Sequence, residues 1–230
     1  MIAALLSWSG GKDCALALYT LRQMPGVEVA GLLTTVTEDY DRINIHGVRR
    51  ALLEQQAEAT GLPLYVVPLP RECSNEHYEA RMAGALREHR EKGVRRVAFG
   101  DLFLEDVRAY RERQLAAMGM EGLFPVWGRD TAEAARDLLR LGFAATLVCV
   151  DTEALPASFA GRPFDAGLLR DLPPGVDPCG ENGEFHTFVH AGPVFRAPVP
   201  CRVGDVEDRG RFVYRDLVRG ARGFGEGQGM

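Results

Sequence analysis

Residues 5–18 read LLSWSGGKDCALAL: an apolar run, Leu5 to Trp8, halts at Ser9-Gly10-Gly11-Lys12-Asp13, and a helix-forming run follows at once. A short apolar run ending in paired glycines predicts a buried strand that turns sharply into a helix. Two glycines let the backbone adopt dihedrals closed to other residues and pass close to a ligand. The first turn of the helix adds free N–H groups and the positive end of its dipole, Lys12 adds a full charge and Ser9 a hydroxyl. The stretch is either a tight turn with a solvated lysine or a cradle for a phosphate. It is not the nucleoside-triphosphatase P-loop, which has four residues between its first glycine and Gly-Lys-Ser/Thr.

Outward from this turn, apolar runs alternate with amphipathic ones. Strands are predicted at 27–36, 62–69 and 94–101, with helices at 46–61, 74–93 and 105–119. Val48, Leu52 and Leu53 share one face of the second helix, which closes at Gly61; Ser74 or Asn75 caps the third. Such alternation implies a twisted parallel sheet with helices on both faces and right-handed crossovers. Ligands of these sheets bind beyond the carboxyl ends of the strands, where strand order reverses. Ser9–Asp13 and Gly100-Asp101 both follow strands, so they face one crevice if those strands are neighbours.

The rhythm changes after LFPVWGRD (123–130). A helix at 131–142, a strand at 143–151 and a Pro- and Gly-rich stretch with strand-like pieces predict a smaller α+β domain at 129–218, after a domain at 1–128. Residues 219–230, rich in glycine, are expected to be a tail without fixed structure.

Composition narrows the classes. The 230 residues are 46% hydrophobic and 26% charged, with a net charge of −5, which speaks against broad nucleic-acid binding. Five scattered cysteines form no C-x-x-C pair, so no zinc knuckle or dithiol site is predicted. No run is long enough to span a bilayer and no leader-like start is present, so a cytoplasmic protein is expected.

Ser9-Gly10-Gly11-Lys12-Asp13-Cys14 resembles the S-G-G-K-D-S pyrophosphate loop of the N-type ATP pyrophosphatases, with Cys14 where many members have serine. FGDLFLEDVRAYRE (99–112), FPVWGRD (124–130) and CGENGEFHTFVHAGPVF (179–195) resemble, in order, the diphthine–ammonia ligase-like family of that superfamily. The resemblance covers Leu5 to about Phe195. It implies ATP and Mg²⁺ as cofactors, attack of a substrate carboxylate on the α-phosphate, loss of pyrophosphate, and capture of the adenylate by ammonia. Ser9 to Cys14, with Gly100 and Asp101, are then the expected nucleotide-binding residues. Lys12, Asp101, Glu181 and Glu184 are the expected catalytic residues, and Asp101 is the candidate metal ligand, against the alternative that it merely caps a helix.

Glu181 or Glu184 is expected to bind or deprotonate the amine. His46, Arg111, Asn182, Glu184, His186 and Thr187 are candidates for substrate binding. His46 is expected to open the second helix; Arg108 and Arg113 are read as solvated, as are His77 and His89. The chain reads Gly180-Glu181-Asn182-Gly183-Glu184-Phe185-His186-Thr187 where the diphthamide enzymes read closer to G-E-G-G-E-Y-E-T, a departure that fits a bacterial branch and leaves the acceptor open. The chain leaves no room for a glutaminase region, so free ammonia or a partner is the expected nitrogen source, and a homodimer is expected for a two-domain protein of this size. Two alternatives are a tRNA-modifying enzyme of the same fold, disfavoured by the acidic balance and unpaired cysteines, and a nucleotide-binding module without turnover.

Overall fold

The structure, a computed structural model, describes residues 1–43 and 46–220. Its first sheet contains β1 (Ile2–Ser7), β2 (Val27–Thr37), β3 (Leu64–Leu69), β4 (Arg96–Ala98) and β5 (Glu121–Leu123), all parallel, in the order β3-β2-β1-β4-β5. The helices between them are α1 (Lys12–Leu21), α2 (Arg50–Thr60), α3 (Asn75–Glu91) and α4 (Glu105–Ala117). Alternation along the strands explains why both faces are covered. Leu6, Leu32 and Ala98 pack with α1 and α2 in one apolar cluster. Leu5, Leu33 and Val97, each one residue over, pack with Leu86 of α3 and Leu115 of α4 in another. Each such leucine, fully buried, contributes about 1.5–3 kcal/mol.

The sheet reverses its winding between β1 and β4, which are neighbours. The turn after β1 and the turn after β4 therefore flank one crevice, where ligands of such sheets bind. β5 was not expected; with three residues it carries too little periodicity to stand out.

A turn past β5 leads to α5 (Thr131–Arg140), whose first turn is capped by Asp130, the side chain accepting from Glu133 N at 2.8 Å. The second sheet is antiparallel, in the order β7-β6-β9-β8: β6 (Ala144–Asp151), β7 (Phe185–Ala191), β8 (Cys201–Arg209) and β9 (Phe212–Arg219). A six-residue helix, α6 (Ala166–Asp171), lies between β6 and β7. The proposed boundary near Gly128 falls between the two sheets. The larger apolar cluster nevertheless runs through both, from Leu6 and Leu53 to Phe185 and Phe188.

Three expectations are corrected. Helix α2 begins at Arg50, four residues after His46, where Arg49, extended and paired with Arg42 as a β-bridge, is its N-cap; Asn44 and Ile45 lie outside the described residues. His89 is buried, its Nδ1 2.8 Å from the Ala85 carbonyl and its ring edge-on to Tyr65. The expected tail starts too early: Arg219 still belongs to β9, and 221–230 lie outside the described residues.

Candidate active site

The turn after β1 needs its glycines. Gly10 has φ +79°, in the left-handed region, and a Cβ there would meet Gln56 Oε1 at 2.7 Å. Gly11 stands at the N-cap of α1 with no side chain to offer a cap. The cap comes instead from β7: Lys12 N donates to Thr187 Oγ1 at 3.1 Å. Two residues on, Val189 N donates to the Gly10 carbonyl at 2.9 Å. The glycine turn thus docks on the free edge of β7, satisfying groups that would otherwise stay unpaired at both.

Gln56 completes the joint. It is fully buried in α2, accepts from Trp8 Nε1 at 2.9 Å, and donates to the carbonyls of Gly10 at 3.0 Å and Val189 at 2.6 Å. Nothing in the local sequence marks it, since its partners are far away along the chain; a glutamine in line with apolar helix positions was the one available signal.

The cleft so formed measures about 230 Å³. It gathers Ser9, Lys12, Asp13 and Cys14 from the first turn, Gly100 and Asp101 from the turn after β4, Arg111 from α4, His46 from the loop before α2, Glu181 from the loop into β7, and His186 and Thr187 from β7 itself. Gly10 and Gly11 hold the turn but do not line the cleft. Asn182 and Glu184 do not line it either. Glu184 Oε1 accepts from Asn182 Nδ2 and from Asp177 N, both at 3.0 Å, so these two tie the loop to itself. Asp177, which sequence reasoning missed, accepts from Cys179 N at 2.8 Å and Glu181 N at 3.1 Å and sets the turn that presents Glu181.

Close approach is extreme at Gly100, where a Cβ would lie 2.7 Å from the Asp13 carbonyl carbon and 2.8 Å from Cys14 N. The turn after β4 therefore rests directly on the first turn of α1. Asp101 is held by Arg111, whose Nε lies 2.8 Å from Oδ2 and whose Nη2 donates to Oδ1 at 3.2 Å. The same guanidinium stands over the Phe99 ring at 4.3 Å. Arg108 is not simply solvated, since it stands over both Phe124 and Trp127 at 4.7 Å.

Opposite charges are concentrated in this cleft. Lys12 is 2% exposed, with Nζ 2.8 Å from Asp13 Oδ2 and above the Phe185 ring. Burial alone pulls the ammonium down, but Asp13, Cys179 and Glu181 outweigh it and hold the Lys12 pKa above its ordinary value. Burial pushes Asp13 up against the pull of Lys12, and its Oδ1 is buried with no hydrogen-bond partner. Glu181 is pushed up to about 7, chiefly by burial and then by Asp13, although its Oε1 accepts from Leu102 N at 2.6 Å. Burial drives the Cys14 thiol up to about 11, and its Sγ donates to the Gly11 carbonyl at 3.1 Å, which leaves it a protonated packing group.

The rings of His46 and His186 lie against each other, tilted by 36°, with centroids 4.5 Å apart. Burial, and then each other and Lys12, push His46 well below the usual histidine range; burial and Lys12 lower His186 to about 4. Both rings are neutral at pH 7.

The family model described as diphthamide synthase N-terminal domain matches residues 1–122, and that described as diphthamide synthase C-terminal domain matches residues 130–215. The chain belongs to the diphthamide synthase family. Among curated members, the diphthine–ammonia ligase of Danio rerio is 27% identical over 213 residues, which cover 83% of each chain. That of Bos taurus is 24% identical over 224 residues, covering 86% of this chain and 81% of the relative. The Schizosaccharomyces pombe ligase is 25% identical over 207 residues, 82% of this chain but 34% of that longer protein. Among solved structures, one described as a predicted subunit of tRNA methyltransferase from Methanocaldococcus jannaschii is similar at 16% identity, with a TM-score of 0.41 over 69% of this chain and 84% of that one, a likeness too loose to bear on function. No helix among the described residues is long and apolar enough to cross a membrane.

Proposed function

We propose that this chain, an ATP-dependent amide-forming ligase by family, adenylates a carboxylate at the cleft and passes the acyl group to ammonia. The observation that carries the reading is the meeting of Lys12, Asp101 and Glu181 in one cleft, drawn from three distant segments. A carboxylate oxygen attacks the α-phosphate of ATP and pyrophosphate leaves; ammonia then attacks the acyl carbon, AMP leaves, and one proton must be taken from nitrogen.

Lys12, the Ser9 hydroxyl and the N-terminal turn of α1 hold the departing pyrophosphate, where fixed positive charge counts most because little water competes. Mg²⁺ takes oxygen ligands and is commonly held by one or two carboxylates together with substrate phosphates. Asp13 and Asp101 suit that role, the former with a buried oxygen lacking a partner. The ion would neutralise charge on the leaving group. Arg111 fixes the direction of the Asp101 carboxylate.

Glu181 is the proton acceptor. A carboxyl titrating near 7 is far better matched to an ammonium-derived proton at neutral pH than an ordinary glutamate. The neutral pair of His46 and His186 admits the uncharged nucleophile beside it. The acceptor is a small molecule or modified side chain bearing a carboxylate, and the setting is the cytoplasm.

The test is incubation with ATP, Mg²⁺, ammonium and a panel of carboxylic acids, followed by identification of the nucleotide product. AMP with pyrophosphate is expected; ADP would sink the reading. Lys12→Ala should remove at least 99% of AMP release, on the order of 3 kcal/mol of transition-state stabilisation.

A further inference from the structure

A second cavity, about 360 Å³, opens beside the first at the same carboxyl edge of the parallel sheet. Its walls carry three arginines, each from a different part of the chain: Arg42 from the loop after β2, Arg71 from the loop after β3, and Arg209 from the end of β8. Glu207 is the one acidic residue among the lining groups. The cavity is therefore locally basic on a protein whose net charge is −5, and guanidinium groups stay charged at any physiological pH.

The arginines are not all spoken for. Arg209 Nε donates to Glu207 Oε1 at 2.8 Å, and Arg42 Nη1 is 2.8 Å from Asp216 Oδ1, a carboxylate it shares with Arg49. Arg71 makes no ion pair among the described residues and stands over the Tyr40 ring at 5.2 Å. Arg42 Nη1 also donates to the Gly47 carbonyl at 2.7 Å, so its guanidinium is anchored rather than swinging. The cavity also adjoins the reaction centre. Gly47 lines it, while the preceding His46 lines the active cleft. Ile43 lines both this cavity and a small hollow that shares Ser7 and Ser9 with the active cleft.

We propose that the Arg42–Arg71–Arg209 cavity holds a second acidic group of the acceptor, so that the substrate is a small polyacid with one carboxylate presented to ATP and another anionic group seated here. This identity of the occupant rests on the ligase reading above; the anion site itself does not. Guanidinium groups from two loops and a strand end can surround a carboxylate or phosphate with paired N–H donors, while a monoacid leaves them unused.

The probes are glutarate, inorganic phosphate and butyrate, titrated into the whole chain at low salt by calorimetry. Glutarate or phosphate should bind at least tenfold more tightly than butyrate, and because phosphate can also occupy the glycine turn, whichever of the two loses affinity in the arginine variants identifies the anionic group as carboxylate or phosphate. Arg71 and Arg209 are exposed, so Arg71→Gln and Arg209→Gln should fold normally. Each should weaken binding of the preferred dianion by about tenfold, leave ATP affinity unchanged, and raise KM for an accepted polyacid with kcat retained. The proposal is overturned if the dianions bind no better than butyrate, or if both variants bind them as wild type does. Loss of dianion binding in the variants without ATP–pyrophosphate exchange on any acid would support the anion site and count against the ligase reading alone.

Discussion

Thr187 accepts the first amide proton of α1 from Lys12 across 175 residues of sequence, at 3.1 Å. A helix that opens on two glycines has no local cap, and the second sheet supplies one. The same turn is the one expected to receive pyrophosphate. Thr187→Val keeps the shape and removes the acceptor, so it should cost about 0.5–2 kcal/mol of stability. It should also weaken nucleotide binding, because the Lys12 amide loses its fixed direction. Urea unfolding and ATP titration of the variant check the two effects separately.

Gly100 is the second contact on that turn. Adding one methyl group places carbon 2.7–2.8 Å from the backbone of Asp13 and Cys14, which cannot retreat as a side chain tip can. Gly100→Ala should destabilise the fold by about 1–3 kcal/mol. ATP affinity should fall more than stability does, since the displaced atoms are those of the phosphate cradle. A thermal midpoint and ATP affinity equal to wild type would show that the two turns do not rest on each other.

Glu181 should give the reaction its pH dependence. With a carboxyl raised to about 7, AMP release is expected to rise with pH through that value, and Glu181→Gln should abolish the rise. Stability moves the other way. The folded chain keeps this proton up to about 7 and the unfolded chain loses it above 4.5, so the contribution is full below 4.5 and lost as pH rises through 7. A pH–rate profile and urea midpoints across pH 5 to 8 read both.

The His46–His186 pair titrates with the opposite sign. Its rings are lowered, His186 to about 4, so folding is favoured while they stay neutral. That contribution is present above the unfolded value of 6.5 and fades as pH falls toward 4. His186→Asn should therefore lose less stability than wild type between pH 6.5 and 4.5. Measured beside Glu181→Gln, it separates two trends that partly cancel in the native chain.

Much of this arrangement was legible in the residues. The strand–turn–helix of Leu5–Leu18 and the alternation of apolar runs foretell the parallel sheet, because parallel strands and their crossover helices are local patterns. Ser74 was recognisable as a cap, and its hydroxyl accepts from His77 N at 3.2 Å. What escaped depends on distant contacts. The start of α2 was misplaced because Val48 fits helical spacing, while a bridge between Arg42 and Arg49 decides otherwise. His89 reads as solvated from its helix alone, and the edge-on contact with Tyr65 of β3 buries it. Asn182 and Glu184 sat in the right loop, but their side chains bond within it instead of facing the cleft.

Gln56 carries a consequence for how the molecule spends binding energy. One amide group, fully buried, ties the glycine turn, the indole of Trp8 and β7 into a single rigid corner. Two parts that are already locked together need not be brought together by the ligand. The corner is set before any ligand arrives, and the entropy of ordering these segments falls on folding instead of on binding.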